Sequence, residues 1–318
     1  MTPPVLVELV RSGVVESVHR ASVLAVRADG TDVLALGEVD RPVFPRSANK
    51  PLQAVGLLEA GWEPPDDEAL ALATASHSGE TAHLAVVRRT LAAAGLDESA
   101  LGCPPMLPLS EPAAHALLRA GGAASRLTMN CSGKHAAMLA TCVAQGWPVA
   151  GYLDREAPVQ RAIVLALERL AGEPVPHVAV DGCGAPQHAL TLRGLARAFT
   201  ALATGDGARR RTASAMTARP DLVGGTGREV TDLMAGVPGL VAKDGAEGVF
   251  AAALPDGSAV AVKVADGATR AAVPVLVAGL RALGVEGEVL ERLAATPVLG
   301  GGAPVGELRP VASLLPRG

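Results

Sequence analysis

The chain has 318 residues, enough for one large α/β domain or two modest ones, with ample core in either case. Hydrophobic residues make up 49% but aromatics only 2%, so the core must be aliphatic, and 36 glycines with 24 prolines indicate a loop-rich fold. A net charge of −4 against 28 basic residues leaves no cationic face for phosphates, and stacking side chains are nearly absent, which argues against nucleic acid as a partner. The start, Met1-Thr2-Pro3-Pro4, lacks a basic region followed by an uninterrupted apolar stretch, so no signal peptide is expected. No apolar run approaches the ~20 residues of a membrane span, so no membrane partner is expected either. The cysteines, at 103, 131, 142 and 183, lack the spacing of a disulfide framework or a zinc knuckle, and a reducing, cytoplasmic setting is the simplest expectation.

Residues 5 to 38 read as strands, Val5-Leu6-Val7, Val14-Val15, His19 to Val26 and Val33 to Leu36, separated by turns at Ser12-Gly13 and Asp29-Gly30. A helix is expected from Ser47, as cap or first residue, to a stop at Gly61, with Pro51 in its first turn. An apolar run, Ala69 to Ala75, leads into Ser76-His77-Ser78-Gly79-Glu80, and helices are expected over Thr81 to Ala94, from Ser110-Glu111, from Met129-Asn130-Cys131 to near Gly146, and over Glu156 to Ala171. A short strand, Val178 to Val180, enters the tight turn Asp181-Gly182-Cys183-Gly184-Ala185-Pro186 before a further helix. Residues 204 to 214 read as an exposed connection with solvated arginines, and Thr226 with Glu229 as a capping box for a helix to Met234. Strands Gly248 to Leu254 and Ala259 to Val264 flank a Pro255-Asp256-Gly257-Ser258 hairpin turn, and a helix follows from Ala268 to Leu283.

These patterns predict an α/β (α+β) fold: a mixed, mainly antiparallel sheet built from both termini, with flanking helices and an inserted helical region. One domain, 1–318, is expected, its sheet drawn from about 1–45 and 240–270 and its helical region from about 80–235.

Ser47-Ala48-Asn49-Lys50 is Ser-x-x-Lys, the layout of a serine nucleophile with a lysine base. On a helix, residues three apart have β-carbons roughly 5–6 Å apart, which would hang the Lys50 amine beside the Ser47 hydroxyl. A capping serine with a solvated lysine is the plainer reading of those four residues alone. A lysine with an ordinary pKa near 10.4 must give up about 4.6 kcal/mol of preference for its charged form to be half neutral at pH 7. Burial beside a second cation supplies a shift of that size, so two lysines in one pocket favour the chemistry more than one. Lys263, inside Ala-Val-Lys-Val-Ala, is unusual for a strand that needs no other charge.

Arg46-Ser47-Ala48-Asn49-Lys50-Pro51, Ala75-Ser76-His77-Ser78, Asn130-Cys131-Ser132-Gly133-Lys134-His135, Asp181-Gly182-Cys183 and Val262-Lys263-Val264-Ala265-Asp266-Gly267 together resemble the rhizobial-type L-asparaginases, a family related in fold to serine β-lactamases, penicillin-binding proteins and glutaminases. Gly13-Val14-Val15-Glu16-Ser17-Val18-His19-Arg20 and Pro220-Asp221-Leu222-Val223-Gly224-Gly225 resemble it too, so the likeness runs through nearly the whole chain in order. The resemblance implies two Ser–Lys pairs in one active site, Ser47 with Lys50 and Ser76 with Lys263, with Arg46 and Asp181 close by. It implies a zinc site at Cys131, Lys134 and Cys183, L-asparagine as substrate and a homodimer. The Ser-Asp-Asn and Lys-Thr-Gly motifs of β-lactamases do not occur in these roles, so antibiotic hydrolysis is not implied.

In the expected reaction Lys50 takes the proton of Ser47 as it attacks the carboxamide, and Ser76, held by Lys263, relays a proton to departing ammonia. Asp181 would bind the substrate ammonium and Arg46 its carboxylate, although an Arg–Asp structural pair is an equal reading. Two thiolates with a lysine, a ligand that must first lose its proton, suit an adaptable zinc site, with His135 as a substitute ligand. Glutaminase or broader ω-amidase activity, a cysteine hydrolase using Cys131 with His135, and a non-catalytic binder on the same fold are the alternatives.

Overall fold

The computed structural model describes residues 2–314. Its strands are β1 (Val5–Arg11), β2 (Val14–Val26), β3 (Asp32–Leu36), β4 (Val178–Val180), β5 (Pro186–His188), β6 (Val241–Gly245), β7 (Val249–Ala253), β8 (Ala259–Val264), β9 (Thr296–Gly300) and β10 (Ala303–Pro310). Eight of them form one sheet in the order β6-β7-β8-β2-β1-β10-β9, with β3 also on β2; β4 and β5 pair separately. Every pairing is antiparallel. The expected antiparallel sheet from both termini is therefore present, in an α+β arrangement.

β2 joins its halves. Residues 14–20 pair with β1 and are largely exposed, whereas Ala21–Val26 pair with β8 and are buried throughout. Where the sequence suggested separate short strands, Val14–Val15 and His19–Val26, the chain runs on as one, because each half finds its own partner. Ser12 and Gly13 both take positive φ, 48° and 82°, the geometry of the tight turn expected there. β9 and β10 were not anticipated: prolines and glycines in Thr296-Pro297-Val298-Leu299-Gly300-Gly301-Gly302-Ala303-Pro304 mask the alternation that marks a strand.

The helices are α1 (Lys50–Glu59), α2 (Asp67–Ala73), α3 (Thr81–Ala93), α4 (Glu111–Arg119), α5 (Ser132–Ala144), α6 (Pro158–Ala171), α7 (Leu192–Thr204), α8 (Ala208–Ala218), α9 (Pro220–Val223), α10 (Glu229–Gly236), α11 (Ala272–Ala282) and α12 (Glu288–Ala294). Three expectations need correction. Residues 208–218, read as part of an exposed connection, are helical because Thr212, Ala215 and Met216 supply a buried stripe, while Arg210 and Arg211 pair outward with Asp206 and Glu63. Thr226 does not cap α10: its backbone N–H and hydroxyl both go to the Glu80 carboxylate, 2.9 and 3.0 Å, and the helix starts only at Glu229. The turn after β4 also leads first into β5, with α7 following under a Thr191 cap.

One aliphatic cluster extends from Leu6 to Leu314. β7 and the centre of β8 are buried on both faces; Gly279 of α11 lies over Val260, and Thr200 of α7 donates to Gly257 O at 2.7 Å. α1 is buried from Lys50 to Leu58, its Gly56 set against Ile163 and Ala166 of α6. A helix this enclosed can carry a lysine at its start only if that lysine is bonded inside. Among the described residues no helix is long and apolar enough to cross a membrane.

Candidate active site

Four segments meet at the start of α1. Arg46–Asn49 form a 3₁₀ turn before the helix, and Arg46 has φ +54°, a left-handed conformation that costs a non-glycine residue roughly 1–2 kcal/mol. Strain of this kind persists only where the surroundings hold it. Arg46 Nε donates to Asp181 Oδ1 at 2.8 Å, with the Asp181 side chain 7% exposed. From the other side, the end of β6 presses so close that a β-carbon on Gly245 would lie 2.4 Å from Pro45 O and 3.3 Å from Ser47 N, a space only glycine fits.

Ser47 is half-buried and caps nothing; its carbonyl accepts the Lys50 N–H, and its hydroxyl has no hydrogen-bond partner among the described residues. The Lys50 ammonium instead turns inward. It is 1% exposed, and Nζ reaches Ala75 O at 2.6 Å, Ser76 Oγ at 3.0 Å and Cys131 Sγ at 3.1 Å. The serine that Lys50 meets is therefore Ser76, not the one three residues before it.

Ser76 lies on an extended stretch after α2, pinned by backbone bonds from Ser76 N to Val223 O, His77 N to Asn130 O and Ser78 N to Gly224 O, 3.2, 3.1 and 2.9 Å. Fully buried His77 accepts from Gly79 N at Nδ1 (3.1 Å), so Nε2–H donates to Ser132 Oγ (2.8 Å). Burial, with His83, Lys50 and Arg228 near, holds this imidazole well below its ordinary pKa, and it serves as a neutral strut.

The expected bond between Ser76 and Lys263 does not form. Lys263 Nζ donates to Glu247 O and Val264 O, 2.5 and 2.6 Å, at the rim of a cleft of about 430 Å³ that also has Arg46, Arg41 and Phe44 in its walls. Lys243, which no sequence motif singles out, is the second lysine buried at this end of the sheet. Its side chain is 0% exposed, and Nζ donates to Asp244 O at 2.9 Å and to Asp244 Oδ1. Burial brings it down to about 8 against the pull of the Asp244 carboxylate, with Arg228 and Lys50 adding to the fall. Asp244 goes to about 2: burial opposes ionisation, but Lys243 and Arg228 outweigh it. The sign is in the sequence, a lysine in apolar Leu240-Val241-Ala242 ahead of Asp244-Gly245, inside the 240–270 stretch expected to join the sheet, although no strand is bounded there.

Cys131, Lys134 and Cys183 do come together. Lys134 Nζ lies 3.2 Å from Cys183 Sγ, which lies 3.6 Å from Asp181 Oδ2, while Cys131 touches Lys50. The Cys131 thiol, through its hydrogen bond, holds Cys183 far below the usual thiol range against burial, with Lys134 assisting; Cys131 itself is raised well above that range, first by Cys183 and then by burial. Among the described residues no three His, Cys, Asp or Glu side chains converge as a metal site, so any site here needs the amine of Lys134. Two cysteines with the Lys134 amine against Cys183 suit a thiophilic ion such as zinc once that amine is deprotonated; burial favours the loss, but Cys183, Cys131 and Asp181 outweigh it and hold the amine above its ordinary pKa, and buried His135 stands beside Cys183. Cys131 and His135 share no hydrogen bond among the described residues; His135 Nδ1 pairs with Tyr152 Oη at 2.5 Å. A raised thiol with no histidine paired to it is a poor nucleophile, which counts against the Cys131–His135 hydrolase.

Buried amines beside hydroxyls, an arginine–aspartate pair at a strained corner and a thiol cluster next to them are what the sequence resemblance implied in kind, though not in pairing. Among curated proteins, none matches the chain. The sequence model of the family described as L-asparaginase II matches residues 7–310 of the 318. The chain thus belongs to the L-asparaginase II family and is an asparaginase-type amidohydrolase.

Proposed function

We propose that the chain hydrolyses the side-chain amide of L-asparagine to aspartate and ammonia through a serine acyl-enzyme. The observation that carries this reading is the fully buried Lys50 amine 3.0 Å from the Ser76 hydroxyl, at the strained corner that presents Ser47. Ser47 attacks the carboxamide carbon; its hydroxyl is half-buried and uncommitted, as a nucleophile in a resting site should be. The proton leaves through the buried polar array around Lys50, whose Nζ meets Ala75 O, Ser76 Oγ and Cys131 Sγ. Lys243, at about 8, is the amine able to hold a proton or release one near neutral pH. The two-lysine logic survives with both parts moved: Lys50 meets Ser76, the partner expected of Lys263, and Lys243 takes the proton-accepting part expected of Lys50. Ammonia leaves with the proton returned, and water then cleaves the ester, restoring the hydroxyl.

Arg46 binds the substrate carboxylate through the guanidinium nitrogens that Asp181 leaves free, while Asp181, otherwise paired, faces the substrate ammonium. Lys263 sits at the mouth of the adjoining cleft and screens which anions enter. Cys131, Lys134 and Cys183 would hold zinc, which would supply a fixed positive charge beside the serines. The working unit is a homodimer, to be read by sedimentation.

Ammonia release from asparagine and from glutamine, measured side by side on wild type and on Ser47→Ala and Ser76→Ala, tests the reading. Ser47→Ala is expected to abolish turnover and acyl-enzyme trapping, with Ser76→Ala retaining slow acylation. Trapping that survives Ser47→Ala but not Ser76→Ala would exchange the roles of the serines, and faster release from glutamine would replace the substrate.

A further inference from the structure

Arg228 precedes α10, so its cation lies at the helix end where positive charge is unfavourable. Its bonds explain the position. Nη1 donates to Ser76 O at 2.5 Å and Nη2 to Asp244 Oδ2, while the other oxygen of Asp244 holds Lys243. The loop that carries it is seated firmly on the serine segment: Thr226 is bonded to Glu80, and a β-carbon on Gly225 would lie 2.1 Å from Ser78 Oγ. One planar, two-pronged cation thus ties the backbone of the serine that faces Lys50 to the carboxylate that faces Lys243.

We infer that Arg228 is a positioning residue that divides the Asp244 carboxylate with Lys243 and, through Ser76 O, keeps the two buried lysines in register. This rests on the reading in which Lys243 carries the proton. The charged groups that face Lys243 are Asp244, Arg228 and Lys50. Taking away the cation leaves the carboxylate wholly to Lys243, which then binds its proton more tightly; taking away the carboxylate leaves two cations against it, and the proton is held less tightly. The two substitutions therefore act in opposite directions, whereas two residues that served only the fold would both lower activity and leave the titration in place.

The test follows the pH dependence of kcat and kcat/KM for asparagine, together with the ¹³Cε signals of labelled lysine in the substrate-free protein, which report whether or not activity survives. Lys243→Gln assigns the signal and the rising limb. Arg228→Gln is expected to move both at least tenfold toward tighter proton binding, and Asp244→Asn at least tenfold toward weaker. Arg228→Lys, which keeps the charge but cannot make both bonds, is expected to leave the titration near its original place while kcat falls, and it carries the test if Arg228→Gln does not fold. If the signal assigned to Lys243 moves in the same direction in Arg228→Gln and Asp244→Asn, or stays still, the inference is overturned. If Lys243→Gln leaves the rising limb unchanged, the catalytic reading of Lys243 fails instead, and the opposed shifts of the assigned signal decide the coupling by themselves.

Discussion

Lys243 and Lys263 stand on the same face of the same sheet, one on each side of β7. Lys243 of β6 is opposite Ala251, which is opposite Ala261 of β8, two residues before Lys263. Partners across a sheet share a face, so neither alternation nor strand propensity distinguishes them. Their cover does. Over β6 lie the 3₁₀ turn carrying Ser47 and the Arg228 loop, which close off Lys243 completely. At the end of β8 the sheet opens beside Ser22 into the cleft, and Lys263, half-buried, donates to two carbonyls with Glu247, Asp266 and Arg46 near it. The same side chain on the same face is sealed completely in one place and left half-buried beside the cleft in the other; burial lowers the pKa of both, that of Lys243 to about 8.

The sharpest way to break that contrast is to truncate each lysine. Lys243→Ala should lower kcat by about 10²–10⁴-fold, the range for a lost general acid–base group, with the circular dichroism spectrum unchanged. With Lys243 as the proposed base, wild-type activity should climb as pH rises through about 8, since the amine is protonated below that value; a limb that falls there would refute the base role. Cys131→Ser should abolish zinc in metal analysis of protein purified without added metal and reduce kcat by at least about 10-fold, the lower end of what losing even a partner of a metal ligand costs. Gly245→Ala puts a methyl group against Pro45 O and should destabilise the fold by about 1–3 kcal/mol in urea titrations, with the loss in activity tracking displacement of Ser47. Lys263→Ala is expected to be mildest, changing kcat less than about tenfold and acting chiefly on KM. Equal kcat losses for the two lysines would erase the distinction.

Much of the scaffold was legible because its signals are local. Ser110 caps α4 and Gly172 ends α6 in a left-handed turn, while Asp256-Gly257 turns β7 into β8. The missed elements are those whose signals are not local. α8 is a polar, arginine-rich segment whose narrow buried stripe matters only when α7 and α1 are beside it, and β10 is a strand because β1 is there to pair with it.

The site divides along the same line. Residue types and their order along the chain, two serines, buried lysines, two cysteines and an arginine–aspartate pair, belong to the sequence by itself, because chemistry demands particular side chains wherever they lie. The partnerships belong to the tertiary structure. Spacing of three placed Lys50 beside Ser47, but the interior offered its ammonium three acceptors from Ala75, Ser76 and Cys131, and a charge so deeply buried goes where it is solvated. Burial likewise, set by distant segments closing over β6, is complete at Lys243 and partial at Lys263, a difference that strand pattern alone does not carry.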